Sequence, residues 1–274
     1  MRLPAPGALG WLDGRMGGVE TLGIPIADAA IHAGLGVFET LALDHGRALD
    51  LARHLARLQA GAARLGVPLP ESAVLRAAID EACRSEPATS AWLKVLATRG
   101  GRLIVVTGAL DPAERGREVS AVLLSWRRDV RDPLLGVKAT SRAAQQLGLE
   151  HARRRGADEG LWLNTRGRLS EGCASNLFVV QRGRIFTPAP GEGVLPGIVR
   201  ECALCAAHAA GIPAHEGRVR LQRLRGAQEA FLTNSLCGVR PLVRVDGRNV
   251  GTGRGGPITR RIAGAVARMR DAGW

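Results

Sequence analysis

The chain has 274 residues, 46% of them hydrophobic and 23% charged, which excludes a disordered or fibrous protein and supports one large domain or two of ordinary size. The net charge of +13 invites a polyanion partner, yet 36 of the 38 basic residues are scattered arginines, tyrosine is absent and aromatics make up 3%. A nucleic-acid binder needs a clustered basic face and stacking side chains, so no nucleic acid is expected as a partner.

In chain order, Trp11-Leu12 reads as a strand entering the tight turn Asp13-Gly14. Residues 36–43 alternate like a strand, and Asp44-His45-Gly46 turns it back. Leu51, Leu55, Leu58, Ala62 and Leu65 recur at spacings of four and three, an amphipathic helix that Gly66 and Pro68 end. A second helix is expected over 71–83, and strands over 92–98 and 103–107. From Asp111 the pattern dissolves into charge, proline and glycine, so a domain boundary is expected within 111–132. Beyond it, helices are expected near 141–155, 197–210 and 257–270. Strands are expected at 161–163, 177–180, 230–233 and 239–245, with turns at Arg166-Gly167, Arg182-Gly183 and Asp246-Gly247. This is neither regular βαβ alternation nor a repeat, and a two-domain α+β fold suits it best. The division expected is a smaller N-terminal domain, 1–120, and a larger C-terminal one, 121–274.

No apolar run approaches the ~18 residues of a membrane span, and the first residues lack a signal peptide's pattern, so a cytoplasmic protein with no membrane partner is expected. The five cysteines form no disulfide framework, and Cys202-x-x-Cys205 lies on an apolar stretch where packing thiols are expected instead of a metal. Gly251, Gly253 and Gly256 match a nominal G-x-G-x-x-G, but with 18 residues left no dinucleotide-binding βαβ unit can follow.

With arginine so dominant, the two lysines, Lys94 and Lys138, stand out, because a guanidinium cannot do amine chemistry. Lys138 follows an apolar run and precedes a helix. Glu171 is the one acid in the small-residue segment Ser170-Glu171-Gly172-Cys173-Ala174-Ser175-Asn176. Spacing alone leaves both open to a plainer reading, a surface lysine and a turn glutamate. A desolvated lysine also serves as Schiff-base former and general base, and a fixed carboxylate also pairs with a cofactor's ring nitrogen.

The order of several segments resembles the class IV, fold type IV pyridoxal-phosphate enzymes. Val37-Phe38-Glu39-Thr40 and His54-Leu55-Ala56-Arg57-Leu58 are similar to its N-terminal signatures, and 156–160 with 171–178 to its central block. Leu195-Pro196-Gly197-Ile198 with Arg200, then 231–235 with Pro241, are similar to its C-terminal blocks. The resemblance implies an α+β, two-domain fold type IV enzyme with pyridoxal 5'-phosphate between the domains, a Schiff-base lysine in the C-terminal domain, and a homodimer. It implies that Lys138 holds the cofactor and moves protons, and that Glu171 pairs with the ring nitrogen. Arg57, Ser235 and the N–H groups of Ile198 and Val199 would hold the phosphate.

Within that group the wording is most like aminodeoxychorismate lyase, which forms p-aminobenzoate and pyruvate for folate synthesis, with Thr40 protonating the departing enolpyruvate. The alternative is an aminotransferase for branched-chain or D-amino acids. A small-molecule carboxylate substrate would meet Arg99, Arg142 and His32. The family's arginine, aromatic and aspartate between Asp28 and Gly36 are replaced by Ala29, Ala33 and Leu35, and Val199 stands where threonine is common. These departures spare the cofactor residues and bear on substrate identity.

Overall fold

A computed structural model describes residues 4–274, which divide into two compact units. The first contains the chain up to Pro112 together with Val137–Arg142; the second contains Ala113–Gly136 and Ala143–Trp274.

The first unit is an antiparallel sheet with helices on one face. Its elements are β1 (Leu9–Leu12), β2 (Arg15–Gly18), α1 (Ala29–Ala33), β3 (Gly36–Asp44), β4 (Arg47–Ala48), α2 (Leu51–Leu65), α3 (Ser72–Ser85), β5 (Ser90–Thr98) and β6 (Leu103–Ala109). The six strands run in the order β2-β1-β6-β5-β3-β4. Alternation sorts the side chains: Val37, Leu41, Leu43, Leu93, Val95 and Val105 form a buried core with Leu55 and Leu58 of α2 and Leu75 and Ile79 of α3. The helix expected from the leucine spacing is α2, and Gly66 ends it in the left-handed conformation. At the hairpin turns Asp13-Gly14 and His45-Gly46 both residues have positive φ, the geometry a two-residue turn demands of a twisted strand pair.

The second unit is a mixed sheet in the order β12-β11-β10-β13-β14-β7-β8-β9, with β15 on β14. Its elements are β7 (Val119–Leu123), α4 (Ala143–Arg154), β8 (Glu159–Leu163), β9 (Leu169–Gly172), β10 (Asn176–Gln181), β11 (Arg184–Pro188), α5 (Ile198–Ala209), β12 (Ala214–Gly217), α6 (Leu221–Arg225), β13 (Glu229–Asn234), β14 (Gly238–Val245), β15 (Arg248–Asn249) and α7 (Pro257–Asp271). Leu177 and Val179 of β10 pack on one face with Leu232 and Leu242. Phe178 and Val180 pack on the other under α5 and α7, where the rings of Phe178 and Phe231 stack at 4.6 Å.

The expected division at 120/121 is corrected in two ways. The chain leaves the first unit at Pro112, inside the 111–132 window expected for the boundary, and the same window contains β7, which pairs in parallel with β8 and β14. Lys138, expected in the C-terminal domain, belongs to the first unit. The reason is backbone pairing: the Phe38 N–H donates to the Lys138 carbonyl at 2.9 Å, the Thr140 N–H donates to Gly36 O at 2.9 Å, and Val37 and Ala139 form an antiparallel bridge. Among the described residues no helix is long and apolar enough to cross a membrane, and none of the five cysteines is in a disulfide. Cys202 is buried in the α5 core while Cys205, on the same helix, is exposed.

Candidate active site

The candidate side chains fall into two groups, one in each unit. In the first unit, Phe38 and Thr40 project from one face of β3, the face away from the helices. Lys94 of β5 lies directly opposite Thr40 in the antiparallel register and shares that face. Three cations surround the Phe38 ring: the Lys138 Nζ at 4.7 Å from its centroid, the Lys94 Nζ at 5.1 Å and the Arg142 guanidinium at 5.8 Å. Such contacts draw on the negative face of the ring. Burial and then the charge of Arg142 push the Lys94 ammonium below its ordinary pKa.

On the opposite face of β3, Glu39 points into the apolar core between Val37 and Leu41. Its carboxylate accepts from Arg57 Nε and Nη2, both at 2.7 Å, and lies 2.6 Å from His54 Nδ1. His54 and Arg57 stand three residues apart on α2, which places them on one face of the helix. Burial alone would raise the Glu39 pKa. The Arg57 guanidinium, by charge and hydrogen bond, and His54 outweigh that and hold it at about 2. Burial lowers the His54 pKa against the pull of Glu39, and the charges of Arg57 and Lys138 lower it further. With an ionised Glu39 as its partner, a neutral His54 carries its proton on Nδ1 and donates it.

In the second unit, Glu171 is the penultimate residue of β9, next to the tight loop that leads into β10. Its Oε1 pairs with Arg128 at 3.1 Å, and its Oε2 accepts from Asn176 Nδ2 at 3.1 Å and from the Leu195 N–H at 2.8 Å. The Arg128 guanidinium also lies 5.3 Å over the Trp162 ring. Gly197 caps α5 without a side chain, and a Cβ there would run into the Asn176 side-chain oxygen. Ile198 and Val199 are therefore the first helical residues, with N–H groups that have no acceptor within the helix. Ser235 sits half-buried in the turn between β13 and β14, where Asn234 Oδ1 accepts from Leu236 N and Cys237 N.

The structure thus brings Lys138, Thr40 and Arg142 to one face of the first sheet, with Arg57 on the other face. Glu171, Ile198, Val199 and Ser235 all belong to the second unit. Arg99 is exposed, and His32 is exposed with Nε2 2.7 Å from the Ile26 carbonyl, a contact that secures the turn before α1. Residue patterns left Glu39, His54, Lys94, Arg128 and Asn176 without a role. An acid at an inward position of an apolar strand and a lysine in an arginine-dominated chain are the signals that mark Glu39 and Lys94. Nothing local marks Arg128.

The amino-transferase class IV family model matches residues 36–245. The chain belongs to this family. It is 31% identical to the branched-chain-amino-acid aminotransferase of Salmonella typhimurium, over 92% of this chain and 89% of that one. Its fold is similar to the Escherichia coli branched-chain amino acid aminotransferase, with a TM-score of 0.88 and 27% identity over 96% of this chain and 95% of that one. It is also similar to the branched-chain aminotransferase of Thermoproteus uzoniensis solved with norvaline, with a TM-score of 0.87 and 29% identity over 96% and 94%. The two-domain α+β, fold type IV architecture is that of these relatives. They favour the aminotransferase expectation over the lyase one.

Proposed function

We propose that this chain is a pyridoxal 5'-phosphate-dependent aminotransferase whose substrates are branched-chain amino acids and their keto acids. The observation that carries the reading is Lys138: a primary amine, rare in this chain, anchored by backbone pairing to β3 and held over Phe38. The donor set fits the cofactor. A fixed carboxylate suits a protonated ring nitrogen, and a capless helix start over a glycine suits a phosphate. A guanidinium adds a second phosphate contact. When bound, pyridoxal phosphate supplies an aldehyde and an electron sink.

The residues then divide the work. Lys138 Nζ moves a proton at the substrate's α-carbon. Glu171, its orientation set by Arg128, Asn176 and the Leu195 N–H, accepts a hydrogen bond from a ring N–H. Arg57, Ser235 and the N–H groups of Ile198 and Val199 bind phosphate oxygens. The positive charge of Lys94 and Arg142 beside Lys138 attracts the substrate carboxylate. We include a homodimer in the proposal on the ground of family resemblance.

One observation favours the lyase as a second reading: Thr40 shares its sheet face with three cations, an arrangement that suits a dianionic substrate such as 4-amino-4-deoxychorismate. A single assay separates the two. Purified enzyme given leucine and 2-oxoglutarate together is expected to form glutamate, and to form none when either is withheld. Sustained release of pyruvate from aminodeoxychorismate without any keto acid would overturn the aminotransferase reading.

A further inference from the structure

A carboxylate buried in an apolar core is retained only where its partners make it useful or tolerable. Glu39 is such a group: its side chain is 1% exposed, that of His54 is 0% exposed, and Arg57, at 12%, is the member of the trio that reaches toward the surface. The carboxylate grips one edge of the guanidinium with two parallel hydrogen bonds, which sets the plane of the five-donor fork. His54 holds the carboxylate in turn. Its Nδ1 reaches Oε2, the same oxygen that accepts from Arg57 Nη2, while its Nε2 has no hydrogen-bond partner among the described residues. An imidazole with a bare, buried Nε2 is neutral, so His54 orients Glu39 without competing with Arg57 for its charge.

We propose that Glu39 and His54 are a positioning pair that fixes the guanidinium plane of Arg57 for a phosphate monoester, so that recognition of the cofactor's phosphate depends on a hydrogen bond buried beneath the sheet. The inference rests on the cofactor reading above and extends it to residues that touch neither cofactor nor substrate. An apolar side chain at position 54 would fill the same space but leave Oε2 with one donor fewer, free to rock and to take the guanidinium out of plane. The effect expected is on recognition of the phosphate, the group to which Arg57 is assigned.

The test compares the affinity of the full chain, stripped of cofactor, for pyridoxal 5'-phosphate and for unphosphorylated pyridoxal. In His54→Leu the preference for the phosphorylated compound should fall about tenfold, as for one charge-assisted hydrogen bond held out of line. His54→Asn, whose amide N–H takes the place of Nδ1–H, should restore most of it. Both affinities falling together, or an unmoved preference in His54→Leu, would overturn the pair's role while the cofactor reading stands. A wild-type chain that binds neither compound would overturn the cofactor reading and this inference with it. Should His54→Leu fail to fold, nitrogen NMR of the wild-type chain decides: a neutral ring protonated on Nδ1 is expected, and a charged ring or an Nε2–H tautomer contradicts the proposal.

Discussion

Lys94 and Lys138, the only lysines in the chain, converge on a single aromatic ring: their Nζ atoms lie 5.1 and 4.7 Å from the centroid of Phe38. They reach it by different routes. Lys138 is brought there by backbone pairing of its own segment with β3, and Lys94 by standing on β5 opposite Thr40 of β3. Only the first is assigned the amine chemistry, and the second is assigned a charge.

Replacing Lys94 by methionine keeps the apolar stem and removes that charge. The KM for the amino donor is expected to rise about tenfold, the loss of one favourable contact of roughly 1.4 kcal/mol, with kcat changed much less. Steady-state kinetics would show this; a fall in kcat with KM unmoved would instead place Lys94 in the proton transfer.

Glu171→Gln keeps the shape and removes the charge that pairs with Arg128. A fall in kcat of about a hundredfold is expected, in line with the loss of a hydrogen bond to a charged group worth roughly 1.5–3 kcal/mol. Cofactor affinity should fall less, because the residues proposed to bind the phosphate are untouched. Equal losses in kcat and in cofactor affinity would show that Glu171 serves only to hold the cofactor in place.

Acid stability follows from the buried trio. The Glu39 carboxyl sits at about 2 in the folded chain against an ordinary 4.5, so its contribution is present in full above pH 4.5 and is lost as pH falls toward 2. A shift of this size corresponds to about 3 kcal/mol. His54, with a pKa lowered from 6.5, acts in the same direction: below that pH the unfolded chain takes up a proton that the folded chain refuses. Urea unfolding between pH 7 and 3 should show stability falling with acid, and Glu39→Gln should flatten the part below pH 4.5. An unchanged slope in that variant would show that Arg57 does not depress Glu39.

Gly197→Ala probes the start of α5. The backbone there is extended at φ −76°, so a side chain is tolerable for the chain itself, but its Cβ would collide with the Asn176 side chain, which also donates to Glu171. Overpacking of this kind costs about 1–3 kcal/mol. Thermal unfolding should register that loss, and cofactor affinity should weaken with it. Wild-type stability and affinity would mean that Asn176 moves aside without consequence.

Much of the architecture was legible from local pattern. The leucine spacing of α2, the alternation of β3 and the Asp-Gly and His-Gly turns are each determined by residues close in sequence, and each formed where expected. What escaped was non-local. β7 is a five-residue strand inside a stretch rich in charge and glycine, and its partners, β8 and β14, are distant and parallel, so no hairpin announces it. The membership of Lys138 in the first unit rests on pairing with β3 about 100 residues earlier, which spacing cannot reveal. The site divides the same way. Lys138, Arg57 and Glu171 could be singled out as candidates because an ordered set of segments surrounds them. Arg128 and Asn176 gain their roles only through the side chain they hold.

Lys138, and not Lys94, is the amine proposed to take the cofactor, and the choice is sharp because both ammonium groups lie over the same ring. The direct measurement is borohydride reduction of the purified chain with pyridoxal 5'-phosphate, followed by proteolysis and mass mapping of the fixed pyridoxyl group. The label is expected on the peptide containing Lys138, with none on the peptide containing Lys94, and its loss in Lys138→Ala. A label on Lys94, or no label at all, would contradict this assignment.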